Sequence, residues 1–137
     1  MIGLLILAQE DLGKGLLHSI EHVLGELPPQ LETLPVNYHA GPEALRRRLS
    51  EHLKRLDQGQ GVLILADIYG ASHTNAACQL LVANRIELVS GVNLPMLIRI
   101  LNYRDLGLAA LVQKALSGGS EGIVSASQPL LRAKAGI

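Results

Sequence analysis

The stretch Gly61–Asn75, GVLILADIYGASHTN, decides how the chain is read. Val62–Ala66 is apolar without alternation, the pattern of a strand covered on both faces, as in parallel sheets. Asp67 closes it. Ile68–Thr74 reads as a loop, and Asn75–Ala83 as a closely packed helix of small residues. The same sentence opens the chain. Ile2–Leu7 (IGLLIL) is continuously apolar and breaks at Ala8-Gln9-Glu10-Asp11. Asp11 is placed to cap a helix reaching about Leu24, with Leu12, Leu16, Leu17, Ile20, Val23 and Leu24 at helical spacing and Gly25 as its stop.

Leu31–Val36 is a second short strand, and Gly41-Pro42 opens a helix whose apolar stripe is Leu45, Leu49, Leu53 and Leu56. Arg85–Ser90 reads as a strand, Met96–Leu101 and Leu106–Leu116 as helices, and Gly122–Ser125 as a last short strand. The alternation predicts an α/β fold: a doubly wound, mostly parallel open sheet with helices on both faces. One domain over residues 1–125 and a tail over 126–137 follow from it. Ligands in such sheets sit beyond the carboxyl ends of the strands, where the winding reverses. Those ends carry Gln9-Glu10-Asp11, Asp67–Thr74 and Gly91–Pro95.

Composition removes several classes of function. Twelve Lys+Arg balance twelve Asp+Glu, so the electrostatic case for nucleic acid or an anionic membrane surface is absent. Aromatic residues make up 2 %, all tyrosine, which leaves no platform for stacking bases. Hydrophobic residues make up 48 %, enough for a core built from Leu, Ile, Val and Ala. The single cysteine, Cys78, excludes an internal disulfide and reads as a buried small apolar group. No apolar run approaches the ~20 residues of a membrane span, and no basic leader precedes Ile2–Leu7, so a cytoplasmic protein is expected.

Candidate site residues cluster in the loop after Val62–Ala66. Asp67, at a strand end, can orient an imidazole or a polar ligand group. Tyr69, Gly70, Ala71 and Ser72 offer free backbone N–H groups and a hydroxyl before a helix, an arrangement that suits an anion. His73 shares that loop, although a histidine at a helix start is more often structural. Neither GxxxxGKS/T nor GxGxxG occurs, so a nucleotide is disfavoured. His18 and His22 are four apart on one helix face but lack a third ligand, and no metal or cofactor is expected. Arg46-Arg47-Arg48 reads as a solvated face paired with Glu43 and Glu51.

Three segments in order, MIGLLILxxxxLGxxLL…VLG, GVLILADIYGASHTNAA and SGVNLPMLIRIL, resemble the enzyme IIA domain of the mannose/fructose family of the bacterial sugar phosphotransferase system. The likeness covers about residues 1–125. It is sharpest at Asp67–Asn75, against the family's D-L/I-aromatic-G-G/A-S/T-P-x-N, and at Gly91–Leu97, against GVNLPML, which adds Asn93 to the pocket. The resemblance implies a doubly wound sheet and a homodimer that exchanges its last strand. It implies phosphoryl transfer from the phosphocarrier HPr to a histidine, then to a IIB component, with contact to a membrane transporter at most peripheral. An aspartate matching Asp67 orients that histidine, and a hydroxyl matching Ser72 helps hold the phosphate.

The acceptor histidine of the family lies in a T-H-G or T-H-E motif after the first strand, where this chain has Ala8-Gln9-Glu10. An imidazole nitrogen is a nucleophile near neutral pH and a primary amide is not, so Gln9 carries no phosphoryl group. Glu10 adds a negative charge at the mouth of the site. His73, at the family's proline position, is the one substitute imidazole in the loop. Three readings follow: a phosphoryl relay of the family's kind, a non-phosphorylatable regulatory or binding module on the same scaffold, or a pocket reused for a small polar ligand held by Gln9, Asp67 and Ser72.

Overall fold

The computed structural model describes residues 1–37 and 39–127. Four strands and five helices alternate: β1 (Gly3–Gln9), α1 (Leu12–Leu24), β2 (Leu31–Val36), α2 (Gly41–Leu56), β3 (Val62–Ala66), α3 (Ser72–Cys78), β4 (Ile86–Ser90), α4 (Leu94–Asn102) and α5 (Leu108–Glu121). All strand pairs are parallel, in the order β2-β1-β3-β4. The chain leaves β1 toward β2 and then returns past it to β3, so the winding reverses between β1 and β3.

Strand side chains alternate between two cores. Leu4, Ile6 and Ala8 of β1 pack with Leu63, Leu65 and Val89 under Ile20 of α1, Met96, Leu97 and Ile100 of α4 and Leu111 of α5. Leu5, Leu7, Val62 and Ile64 face the other way, onto Leu49, Leu53 and Leu56 of α2 and Ala77 of α3. Both faces of β1 and β3 are thus dry, which is why these strands show no polar alternation. Each fully buried Leu or Ile contributes about 1.5–3 kcal/mol of hydrophobic stabilisation. At the opposite end of the sheet from the candidate site, Arg104 donates to the carbonyls of Ile2, Pro29 and Gln30, tying the entrances of β1 and β2 together.

Several expectations change. Asp11 stands before α1 but makes no side-chain capping bond. The third helix begins at Ser72 and ends at Cys78, so His73 and Thr74 lie on α3 and not in a loop. Within it, Asn75 N–H donates to Ala71 O at 2.9 Å, and the Thr74 hydroxyl donates to Ile68 O. Gly122–Ser125 is not a strand. Helix α5 continues through Glu121, and Ile123 and Val124 beyond it are 78 % and 59 % exposed. Cys78 is partly exposed. No ion pair joins Arg46, Arg47 or Arg48 to Glu43 or Glu51 among the described residues; Arg46 donates instead to Gln79 at 3.2 Å. The tail over 126–137 falls outside the described residues from 128 onward.

Candidate functional site

The carboxyl ends of β1 and β3 meet at Asp67, one residue past β3. Its carboxylate is a junction. Oδ2 accepts the backbone N–H of Gln9 at 3.0 Å, and Oδ1 accepts Ile68 N–H at 2.8 Å and the His73 ring at 2.6 Å through Nε2. Burial raises the Asp67 pKa, but hydrogen bonds from His73 and Gln9, the His73 charge and the Ile68 N–H together hold it below the ordinary carboxylate value. An ionised carboxylate only accepts, so Nε2 is the donor in this bond and Nδ1 is the ring nitrogen that Asp67 does not engage. The His73 side chain is 1 % exposed, and its Nδ1 has no hydrogen-bond partner among the described residues.

Loop geometry places these groups. Gly70 takes φ +86°, the left-handed region open to glycine, and turns the chain from β3 into α3. Glu10 adopts φ +46°, a conformation that costs a non-glycine residue about 1 kcal/mol, where β1 turns into α1. Its N–H still reaches Val36 O at 3.3 Å. Ile68 and Tyr69 project at the loop tip, 54 % and 73 % exposed.

Two clefts flank the carboxyl edge. One of about 260 Å³ lies between the ends of β2 and the starts of α2 and α3, lined by Val36, Asn37, Gly41, Pro42, Leu45, Ser72 and His73. The second is lined by Glu10, Asp11, Val36, Asn37, His39 and Arg48 among others. Thus Asp67 and His73 are joined directly, Ser72 shares a cleft with His73, and Glu10 stands across the Val36–Asn37 wall. Gln9 meets Asp67 through its main chain. Asn93 is engaged elsewhere: its Oδ1 accepts Met96 N–H at 2.9 Å and its Nδ2 donates to Gly119 O at 3.1 Å, capping α4 and fastening it to α5. The sequence reading missed Asn37, Gly41 and Leu45, which the strand-end rule could have flagged because they follow the carboxyl end of β2. Among the described residues, no group of three or more His, Cys, Asp or Glu side chains is placed to hold a metal ion. No helix there is long and apolar enough to cross a membrane.

A model of the EIIA-man family, described as PTS system fructose IIA component, matches residues 3–116. The chain is 38 % identical over 84 residues to the PTS system mannose-specific EIIAB component of Escherichia coli (strain K12), covering 59 % of this chain and 26 % of that protein. It therefore spans about a quarter of that relative. Against the PTS system fructose-specific EIIA component of Bacillus subtilis (strain 168) it is 30 % identical over 106 residues, 77 % of this chain and 72 % of the other. The crystal structure of phosphotransferase system component EIIA from Streptococcus agalactiae superposes with a TM-score of 0.82 at 25 % identity, over 93 % of this chain and 98 % of that one. With the model match spanning both β1 and the Asp67 loop, the chain belongs to the mannose/fructose family of phosphotransferase-system IIA components.

Proposed function

We propose that this chain acts as the IIA component of a cytoplasmic phosphoryl relay, taking a phosphoryl group from HPr and passing it to a IIB partner, with His73 as the carrier. The supporting observation is the 2.6 Å contact between His73 Nε2 and Asp67 Oδ1 at the reversal of the sheet. That contact leaves the nucleophilic lone pair on Nδ1. In the transfer, Nδ1 attacks phosphorus, a P–N bond forms, and the bond from phosphorus to the donor breaks. Nε2 keeps its proton, hydrogen-bonded to Asp67, whose negative charge stabilises the cationic ring. The ring is buried, so the cleft between α2 and α3 widens as the donor docks. Exposed Ile68 and Tyr69 supply apolar contact area for the partner beside it. The family's dimer is proposed too: β4 lies at the end of the sheet order, where its outer edge pairs among the described residues only at Ile86 with Val82, and Ile123 and Val124 after α5 are exposed.

A second reading rests on the amide at Gln9 and on the burial of His73: docking of the same partners without carriage of phosphate. Incubation with phosphoenolpyruvate, enzyme I and HPr separates the two. The relay predicts one acid-labile phosphoryl group per chain, lost in His73→Ala and kept in Gln9→Ala. Absence of label while HPr still binds selects the second reading, and label that survives His73→Ala removes His73 from the role.

A further inference from the structure

Three consecutive arginines in the first half of α2 serve no carboxylate of their own chain. Helix α2 carries Arg46, Arg47, Arg48, Lys54 and Arg55 against Glu43 and Glu51, a local surplus of positive charge on a chain whose formal total is zero. Arg55, Arg85 and Arg99 each hold a carboxylate, and Arg104 holds main-chain carbonyls. Arg46, Arg47 and Arg48 are exposed, and among the described residues none of them forms an ion pair. Glu43 and Glu51 stand four residues either side of Arg47, the spacing at which helix pairs form, yet neither takes it up. Successive helix residues are about 100° apart, so the three side chains fan around the face away from Leu45 and Leu49. Arg46 reaches toward α3, where it donates to Gln79 Oε1 at 3.2 Å. Arg48 is on the other flank and lines a cleft with Glu10, Asn37 and His39 near the carboxyl ends of β1 and β2. Arg47 stands between them.

We infer that this face of α2 docks a partner protein through a cluster of its Asp and Glu side chains. A guanidinium holds a carboxylate by two parallel N–H···O bonds and sheds water readily, which suits arginine to protein interfaces. A nucleic-acid backbone or an anionic lipid surface fits less well. Its charge is continuous and would also press on Glu43 and Glu51, whereas a folded protein can set carboxylates opposite the arginines alone. The zero net charge of the chain adds no long-range repulsion of an acidic partner. Because Arg46 is tied to α3 and Arg48 lines the cleft with Glu10, the occupant sits beside the candidate site. Docking does not rest on phosphoryl transfer.

Titration of the 15N-labelled chain with hexaglutamate, beside hexalysine and hexaserine, tests the face. Hexaglutamate is expected to give saturable shifts centred on the Arg46, Arg47 and Arg48 resonances, weakened as salt is raised. The combined variant Arg46→Gln, Arg47→Gln, Arg48→Gln should bind it about 10-fold more weakly, the loss of three exposed ion pairs. Glutamine keeps the helix propensity of arginine at exposed positions, so this variant folds, which far-UV circular dichroism checks. Lys14→Gln, which removes an exposed charge from α1, should leave the affinity unchanged. No saturable titration, equal titration by hexalysine, or affinity unmoved by the triple substitution overturns the inference. Duplex DNA or phosphatidylglycerol vesicles that bind this face more tightly than hexaglutamate also overturn it, in favour of those surfaces. A chain that takes no label from HPr yet binds hexaglutamate sinks the relay and leaves this face; label without hexaglutamate binding does the reverse.

Discussion

Asp67 offers roughly four lone-pair positions as a carboxylate, and the chain fills three of them. Each bond fastens a different piece: the end of β1 through Gln9, the local turn through Ile68, and α3 through His73. Charge-assisted bonds of this kind are the stronger class, and the Asp67 side chain is 9 % exposed, so water does not compete well. Asp67→Asn keeps the shape but loses the charge and presents an NH2 to one of its donors. We expect a loss of about 2 kcal/mol in urea unfolding and, under the relay reading, a sharp fall in phosphoryl label. A variant as stable as the parent would show that the junction is not a structural tie.

Glycines set how closely the elements approach. A methyl group on Gly3 would stand 2.6 Å from Leu56 O, a main-chain atom at the end of α2 that does not yield as a side chain would. Gly3→Ala should therefore destabilise by about 1–3 kcal/mol through overpacking. Gly15 lies on the exposed side of α1 with nothing within 4 Å. There the better helix propensity of alanine acts alone, and Gly15→Ala should stabilise by about 0.5–1 kcal/mol. Urea midpoints of the two variants, moving in opposite directions, check both statements. The same scale explains the missing last strand. Helix α5 runs on because Gly118 and Gly119 lie close against α4: a methyl on Gly118 would come within 2.6 Å of Arg99 Cβ. Glycine there reads in sequence as a turn, whereas in the fold it is a helix–helix contact.

For the whole molecule, three carboxylates share one direction of shift. Glu32 is held low first by its hydrogen bond from Arg55, against burial and with help from His52. Asp57 is raised by burial but lowered further by the Gly59 and Gly61 N–H groups and by Arg85. Asp67 behaves alike. A carboxyl lowered on folding adds stability above its unfolded pKa, about 3.9–4.3, and that stability disappears as pH falls through the lowered folded value. The urea midpoint should thus be flat with respect to these groups from neutrality to about pH 5 and decline below about pH 4. Asp67→Asn should make the decline shallower. The outer edge of β4, at the end of the sheet, belongs to this scale too. Sedimentation of the 14.6 kDa chain is expected to give a dimer, and deletion of residues 122–137 a monomer. A monomer at tens of micromolar would remove the dimer.

Apolar runs at Ile2–Leu7 and Val62–Ala66, with polar breaks after them, determined by sequence alone that the sheet is parallel and covered on both faces, and pointed to its carboxyl edge as the candidate site. That follows because burial on both faces leaves no polar alternation, a property of each strand by itself. The amide at position 9 was equally plain, and so was the family, through Asp67–Asn75 and Gly91–Leu97. Tertiary structure decided the rest. Whether Asp67 turns to a ligand or to His73, whether Asn93 faces a pocket or caps α4, and whether Gly118-Gly119 bends the chain or packs two helices all depend on atoms from segments distant in sequence. Local pattern records which face a residue presents. It carries no record of what arrives opposite, and the closest contacts of this site are of that kind.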